Sequence, residues 1–328
     1  MYNSLVLGGG SATGLVTLGS LQYFYDNFMM NDLNKFIGTS SGAITCFLLL
    51  IGYTPIEIIV YICKERLMES MHSMNLVSML NGTGAMSFNS IYSAIEKMTI
   101  NKIGYLPTFR DIETQYKKIL IITTFNLSKM QPEYLSFQNT PDLPILIALK
   151  MSSNLPFVFE NFKYNKNYYI DGGISNNFPI DLLDDNDKAI AIRLSNDNND
   201  DNDDNDDDSI TYDLNEKTFL EYVYTVIFVP IMQQDKNKIK SHKKSNKIIS
   251  IKVNKSSLNF NILNADKLDM FSSGYSQTRA IIESVAEPVV EPVVESVVEP
   301  VVEPVVEPVV EPVVEPVVEL DWLKKEKI

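Results

Sequence analysis

The chain has 328 residues, 45% of them apolar and 10% aromatic, which is enough for one large domain with a substantial core. Its formal net charge of −14 argues against nucleic acid as a partner, because phosphate binding needs clustered cations. Its only cysteines, Cys46 and Cys63, are too few for a disulfide framework and are expected to be reduced residues of an intracellular protein.

The first 195 residues alternate between strand and helix signals, and two further elements follow later in the chain. Predicted strands are Ser4–Leu7, Lys35–Ile37, Ile119–Thr124, Tyr168–Ile170, Ala189–Leu194 and Lys247–Val253. Predicted helices are Gly14–Asn27, Ala43–Leu50 and Phe219–Met232. Strands that alternate with helices predict an α/β fold whose sheet is covered on both faces.

The N-terminal residues and the longest apolar run both bear on targeting. Ser4–Leu7 leads straight into glycines, without the basic and apolar regions of a secretory signal. The apolar run Ile44–Gly52 is about half the length of a membrane span. We therefore expect no signal peptide or transmembrane helix, and a protein that is soluble or peripherally membrane-associated.

Two segments depart from globular composition. The Asp/Asn run Asn196–Asp208 is too charged to fold, and it lacks the glycine and distal glutamate of a calcium-binding EF-hand loop. Near the C-terminus, Pro-Val-Val-Glu repeats exclude helix and sheet, because proline recurs at almost every fourth residue. The predicted organisation is a domain at 1–284 with a disordered acidic insertion, followed by a low-complexity tail at 285–328.

Gly38-Thr39-Ser40-Ser41-Gly42 is the first candidate for chemistry, because it has the pattern G-x-S-x-G between a strand and an apolar helix. This pattern places its serine, Ser40, on a strained turn above the sheet, where flanking glycines let the backbone turn. The alternative centre, Ser41, would need glycine at 39 and 43. The alternative interpretation is a plain turn in which Thr39 or Ser40 caps the helix.

Gly8-Gly9-Gly10-Ser11-Ala12-Thr13-Gly14 also joins a strand to a helix. Consecutive glycines expose backbone N–H groups at a helix N-terminus, which suits the oxyanion of acyl transfer or a nucleotide phosphate. The nucleotide alternative is weaker, since G-x-G-x-x-G would need glycine at Thr13 and no P-loop lysine is present.

Asp171-Gly172-Gly173 follows an apolar strand and is the third candidate. Such a string is commonly a turn, but the carboxylate is also a candidate general base. The only histidines, His72 and His242, lie in a Met-rich stretch and a Lys-rich stretch, neither of them a convincing setting for a Ser-His-Asp triad. If Ser40 is a nucleophile, its base is therefore expected to be a carboxylate.

Taken together, the three motifs resemble those of the patatin-like phospholipases. Supporting strings are also similar to segments of that family: Gly14-Leu15, Leu18-Gly19, Leu21, Gly52-Tyr53-Thr54-Pro55, Thr123-Thr124-Phe125-Asn126-Leu127 and Ser152-Ser153-Asn154-Leu155-Pro156-Phe157-Val158-Phe159. The resemblance covers about residues 4–195, with a weaker echo at Gly274-Tyr275.

The resemblance implies a three-layer α/β/α patatin-like fold with a mostly parallel central sheet and a serine esterase of the phospholipase A type. Ser40 would attack the ester carbonyl and Asp171 would accept its proton. The N–H groups of Gly9, Gly10 and Ser11 would hold the oxyanion, with no metal or cofactor. The implied partner is a lipid or phospholipid substrate, and transient contact with a membrane surface is left open.

Two departures from the family leave alternatives open. Ser11 stands where the family usually has a third glycine, and Thr13 where it usually has arginine or lysine. The loss of a cation keeps a catalytically decayed, lipid-binding homologue in consideration beside the nucleotide-binding alternative. The lipid headgroup, the acyl position and the oligomeric state are not readable from the sequence.

Two stretches could contact lipid. Methionines between Met68 and Met86 suit a flexible lid, although core packing is the more common use of such residues. Six lysines in Lys236–Lys247 suit anionic headgroups, although a solvated loop is the more common interpretation.

Overall fold

The computed structural model describes residues 1–65, 84, 86–195, 219–241, 246–253 and 262–286. The chain divides into two units, Met1–Glu287 and Pro288–Ile328. The predicted acidic insertion, most of the Met-rich stretch, both histidines and the repeat tail lie outside the described residues. The predicted domain boundary and the predicted disorder therefore stay predictions.

Within the described residues, the central sheet has eight strands: β1 Ser4–Leu7, β2 Lys35–Thr39, β3 Ile119–Asn126, β4 Gln131–Leu135, β5 Phe162–Tyr164, β6 Asn167–Asp171, β7 Ala189–Ser195 and β8 Lys247–Lys252. The helices are α1 Leu15–Asp26, α2 Ser41–Leu50, α3 Pro55–Lys64, α4 Asn89–Ile103, α5 Phe109–Asp111, α6 Ile145–Ser152, α7 Phe219–Ser241 and α8 Asn264–Ala286. A π-helical turn, Ile112–Tyr116, follows α5, and short 3₁₀ turns lie at Ser11–Gly14, Gly172–Ile174 and Ile180–Leu182.

The strands are linked by pairing in the path β5-β6-β3-β2-β1-β7-β8, and β4 also pairs with β3. Along this path, β6 and β2 pair with different parts of β3. The pairs β3–β2, β2–β1, β1–β7 and β7–β8 are parallel. The pairs β3–β4, β3–β6 and β5–β6 are antiparallel. The parallel strands are mostly apolar because both of their faces are buried.

Helices cover one face of the sheet and a mixed layer covers the other. Alternate residues of β1, such as Leu5 and Leu7, join the large cluster formed with α1, α2, α6 and α8. The residue between them, Val6, joins a second cluster with Phe178, Ile180 and part of α7. This period of two follows from the pleat of a strand. The predicted fold class, α/β with a mostly parallel sheet flanked by helices, is confirmed.

The C-terminal helix α8 is held tightly against α1. A Cβ atom added to Gly19 of α1 would overlap the carbonyl of Phe271, and one added to Gly274 of α8 would overlap the carbonyl of Val16. The Thr278 hydroxyl reaches across the same interface to Ser20. Glycine lets the two backbones touch, which gives a physical reason for both glycines.

No single helix among the described residues has the length and apolar character needed to cross a membrane, and α2 with α3 meets that criterion only as a pair bent by 118°.

Candidate active site

Two strand ends meet at the middle of β3. The last residue of β2, Thr39, pairs with Thr123, and the last residue of β6, Asp171, pairs with the next residue, Thr124. Strand β4 pairs with both of these β3 residues, so β2 and β6 must share the opposite edge of β3. They approach each other head to head, one parallel and one antiparallel to β3. Ser40, directly after β2, is thereby brought beside Asp171.

The chain reverses sharply at Ser40. Its backbone has φ 54° and ψ −125°, a sparsely populated region for a residue with a side chain, which typically costs about 1–3 kcal/mol. The turn is held by a 2.9 Å hydrogen bond from the Ser40 N–H to the Ser152 hydroxyl. Ser40 occupies the N-cap position of α2, but its hydroxyl makes no capping hydrogen bond. The strand–turn–helix context expected for G-x-S-x-G is therefore present, and the plain capping interpretation does not describe this hydroxyl.

The Ser40 hydroxyl instead donates to Asp171, with an Oγ to Oδ2 distance of 2.6 Å. The other oxygen, Oδ1, accepts the Gly173 N–H at 2.7 Å. Asp171 thus stabilises its local turn with one oxygen and contacts Ser40 with the other. The same side chain can therefore serve both as a turn former and as a proton acceptor. Its side chain is buried, with 1% of the residue exposed.

Burial also sets the acidity of this carboxyl group. It raises the pKa of Asp171 from 3.8 to about 7, while the hydrogen bonds from Ser40 and Gly173 act in the opposite direction. A carboxylate with a pKa near 7 is a better proton acceptor at neutral pH than an ordinary aspartate.

The glycine loop lies against Ser40 and the start of α2. An added Cβ at Gly9 would be 2.6 Å from the Asn177 Oδ1 and 3.3 Å from the Ser40 Cβ, so a larger residue would crowd both side chains. The Gly9 N–H donates to the Asn177 carbonyl at 3.1 Å, and the Gly10 N–H donates to the Ser41 hydroxyl at 3.1 Å. In this arrangement, Gly9 has no N–H free for an oxyanion, which differs from the expectation.

The two residues of the loop that depart from the family differ in their surroundings. Thr13 is buried, with 3% exposed, and its hydroxyl donates to the Gly10 carbonyl at 2.7 Å. It therefore braces the loop by a hydrogen bond instead of supplying a charge. Ser11 has a φ of 47°, in the left-handed region that favours glycine. Among the described residues, its N–H makes no hydrogen bond.

The remaining motif glycines permit close contacts. A Cβ atom added to them would come within 3.4 Å of a neighbouring atom in every case: Gly8, Gly14, Gly38, Gly42, Gly172 and Gly173. Gly38 and Gly42 are the clearest examples, since their added Cβ atoms would lie 2.6 Å from the backbone of Ala43 and of Leu7. Packing of α2 onto the strand ends therefore explains Gly38 and Gly42.

A cavity of about 150 Å³ opens beside Ser40. Four serines line it, Ser11, Ser40, Ser41 and Ser153, and most of the other lining residues are apolar. Leu48, Ile95, Met98 and Phe159 belong to this apolar part. An apolar cavity of this size can hold a ligand of about six carbon atoms. The cavity thus combines a set of hydroxyls with space for a short hydrocarbon segment.

Within the described residues, no group of three or more His, Cys, Asp or Glu side chains could hold a metal ion.

Two residues support the site in a way that the sequence did not predict. Ser152 accepts the Ser40 N–H, and the Asn177 carbonyl engages the glycine loop. Both lie in or beside strings with the family's pattern, Ser152 in the segment before the aspartate and Asn177 just after it. Their partners are more than a hundred residues away in the chain, so only the tertiary structure reveals what they bind.

The sequence of this chain also matches that of known proteins. The sequence model of the family described as "Patatin-like phospholipase" matches residues 5–184, more than half of the chain. The chain therefore belongs to the patatin-like phospholipase family, and the predicted family is confirmed.

Two viral proteins are among the chain's relatives. "Probable lipid hydrolase 463L" of Invertebrate iridescent virus 6 is 39% identical over 187 residues, which cover 55% of this chain and 63% of that protein. "Uncharacterized protein R571" of Acanthamoeba polyphaga mimivirus is 32% identical over 201 residues, covering 60% of this chain and 66% of that protein. The chain thus spans slightly less than two thirds of each relative.

Among solved structures, VipD from Legionella pneumophila is similar, with a TM-score of 0.48 and 16% identity. That match covers 86% of this chain and 67% of VipD.

Proposed function

We propose that this protein hydrolyses acyl esters of lipids, with Ser40 as nucleophile and Asp171 as its general base. The observation that carries the proposal is the 2.6 Å hydrogen bond from the Ser40 hydroxyl to Asp171, formed where two strand ends meet. Membership of the patatin-like phospholipase family supports the same chemistry. The viral relative named as a probable lipid hydrolase agrees with it.

In the first half of the reaction, ionised Asp171 takes the proton of Ser40 as the oxygen of Ser40 bonds to the ester carbonyl carbon. The carbonyl π electrons move to oxygen and form an oxyanion. When this intermediate collapses, the alcohol leaves with the proton from Asp171, and the acyl group stays on Ser40. In the second half, the oxygen of water bonds to the acyl carbon while water passes a proton to Asp171. The bond from Ser40 to that carbon then breaks, which releases the fatty acid, and Asp171 returns the proton to the Ser40 oxygen.

Backbone donors around Ser40 are suited to hold the oxyanion. Ser41 begins α2, whose N-terminal end carries a partial positive charge and N–H groups without partners in the helix. The Ser11 N–H has no acceptor within the described part of the chain. The Gly10 N–H, now bonded to the Ser41 hydroxyl, can join these donors if it exchanges that acceptor.

The cavity beside Ser40 indicates the class of substrate. Its serine-lined part suits an ester group, and its apolar part suits the first carbons of an acyl chain. An acyl lipid carries both, whereas a nucleotide would place charged phosphates in a site whose walls are mostly apolar. The cavity therefore favours a lipid over the nucleotide alternative. We further propose that the protein meets its substrate at a membrane surface.

A lipid panel tests this function. Purified protein would be incubated with phospholipids, lysophospholipids and triacylglycerols, and released fatty acids measured by mass spectrometry. The expected result is fatty acid release by the wild type and none by Ser40→Ala. Binding of lipid without any release would instead support the catalytically decayed alternative. Release that persists in Ser40→Ala would show that another group does the chemistry.

A further inference from the structure

The hydroxyl groups around the cavity are not equally engaged. Ser40 donates to Asp171, and Ser41 accepts the Gly10 N–H. In contrast, the buried hydroxyl oxygens of Ser11 and Ser153 have no hydrogen-bond partner in the described part of the chain. Both residues line the cavity that Ser40 lines. Buried hydroxyls without partners are costly, so a pair of them on a binding cavity points to a ligand that satisfies them.

The surroundings of these two residues single out Ser11. Its N–H and its hydroxyl both lack a partner within the described residues, whereas the Ser153 N–H already donates to the Leu149 carbonyl at 3.0 Å. Ser11 also follows Gly10, whose N–H reaches the hydroxyl of the residue next to the nucleophile. Ser11 thus presents two donors from one residue on the wall of the cavity that Ser40 also lines.

The backbone of Ser11 makes the side chain notable. With a φ of 47°, glycine would adopt this conformation more readily than serine. A residue with a side chain at this position is less favourable than glycine, because it must adopt a left-handed backbone conformation. A hydroxyl that contributes to binding or catalysis would offset that disadvantage.

We propose that the Ser11 hydroxyl donates a hydrogen bond to the oxyanion, as a side-chain donor added to the backbone donors of the loop. The inference rests on the proposed acyl-ester hydrolysis by Ser40. As the bond from Ser40 to the carbonyl carbon forms, negative charge grows on the carbonyl oxygen, and Ser11 keeps its proton while donating to that oxygen. Thr13 stands where the family usually has a cation, so no charge at that position can stabilise the oxyanion. The Ser11 hydroxyl would supply part of this stabilisation instead.

The test compares Ser11→Gly and Ser11→Ala with the wild type on a dispersed short-chain nitrophenyl ester. Ser11→Gly removes the hydroxyl and relaxes the backbone, while Ser11→Ala removes the hydroxyl alone. Loss of one oxyanion donor typically lowers kcat on the order of 10²-fold. We expect a loss of that size in kcat for both variants, with little change in KM, since the interaction forms in the transition state.

Lys117→Gly is the matched control for the backbone. Lys117 is exposed, has a φ of 55° and is not among the residues that line the cavity. Like Ser11→Gly, this variant places glycine in the left-handed region, so both should keep or raise the thermal midpoint. Only Ser11→Gly should lose turnover. If Ser11→Gly failed to fold, Ser11→Ala would still report the effect of the hydroxyl.

Two results would overturn the inference. A kcat for the folded Ser11 variants equal to or above that of the wild type would show that the hydroxyl does not act on the oxyanion. A loss that appears only in KM would assign Ser11 to substrate binding instead. Turnover by the wild type separates these results from failure of the proposed function, because a wild type without esterase activity would remove both proposals.

Discussion

Replacing Asp171 by asparagine would separate proton acceptance from the structural role of this side chain. The asparagine Oδ1 can still accept the Gly173 N–H, which preserves the turn after β6. The Nδ2 group would donate to the Ser40 oxygen, so the hydrogen bond between the two side chains would persist with its direction reversed. The variant should therefore fold, but it has no group to receive the Ser40 proton. Loss of a general base typically lowers the rate about 10²–10⁴-fold.

The same substitution should change how stability depends on pH. In the folded protein, burial raises the pKa of Asp171 from 3.8 to about 7, so the folded state holds a proton that the unfolded state releases. The stabilisation from this proton is complete below about pH 4 and disappears as the pH rises to about 7. One pKa unit corresponds to about 1.4 kcal/mol, so the wild type should lose about 3 kcal/mol between pH 5 and pH 8 through this group. Asp171→Asn lacks this loss.

Asp235→Asn is a matched control. Burial also raises the pKa of Asp235 to about 7, so the two carboxyl groups titrate in the same range, but the Ser40 hydroxyl donates to Asp171 and not to Asp235. Urea unfolding at pH 5 and pH 8 should show each variant gaining stability relative to the wild type as the pH rises. Rates measured from pH 5 to 9 should differ. In the wild type and in Asp235→Asn, kcat/KM should rise with pH through about 7, because the base must be ionised. Asp171→Asn should be nearly inactive throughout.

Two outcomes would refute this reasoning. Activity of Asp171→Asn within tenfold of the wild type would show that the carboxylate is not the base. A rise of kcat/KM near pH 7 that vanished in Asp235→Asn would assign the titration to Asp235 instead.

The remaining predictions concern the glycine loop, the repeat tail and the helix α8. Thr13→Val should lower kcat several-fold and stability by about 1 kcal/mol, because it deletes the hydrogen bond to the Gly10 carbonyl; unchanged kinetics and urea midpoint would mean that the loop needs no brace. A chain ending at Ala286 should keep its thermal midpoint and its activity on dispersed short-chain esters, whereas a large fall in the midpoint would show that the repeat tail packs on the domain. A chain ending at Asn264 should unfold at a much lower temperature, because α8 packs closely on α1 through Gly19 and Gly274.

Local signals in the sequence are enough to find most of the sheet. The strand predicted at Ser4–Leu7 has the same bounds in the structure, since it is a short apolar run closed by glycines. The helix predicted at Phe219–Met232 begins as expected but continues past Met232 to Ser241, which places Lys236, Lys238 and Lys240 on a helix instead of in a loop. The helix α8 is not among the predicted elements, because much of its stabilisation comes from contact with α1, far away in the sequence.

The sequence identifies candidate residues for the site but not their geometry. The motifs around Ser40 and Asp171 identify both side chains as candidates. That β6 runs antiparallel to β3 and ends against β2 depends on pairing between strands that are far apart in the chain, which no local pattern encodes. For the same reason, the sequence cannot tell that Asn177 engages the Gly9 N–H or that Ser152 holds the Ser40 turn.

Labelling with a fluorophosphonate probe tests the central claim most directly, because only an activated serine reacts with it. Mass spectrometry of the labelled wild type should find one adduct, on the peptide that contains Ser40. Ser40→Ala should remain unlabelled, and Ser41→Ala should still react, because its nucleophile and base are intact. Absence of any adduct on the folded wild type, or an adduct on Ser41 instead, would contradict the assignment of Ser40 as nucleophile.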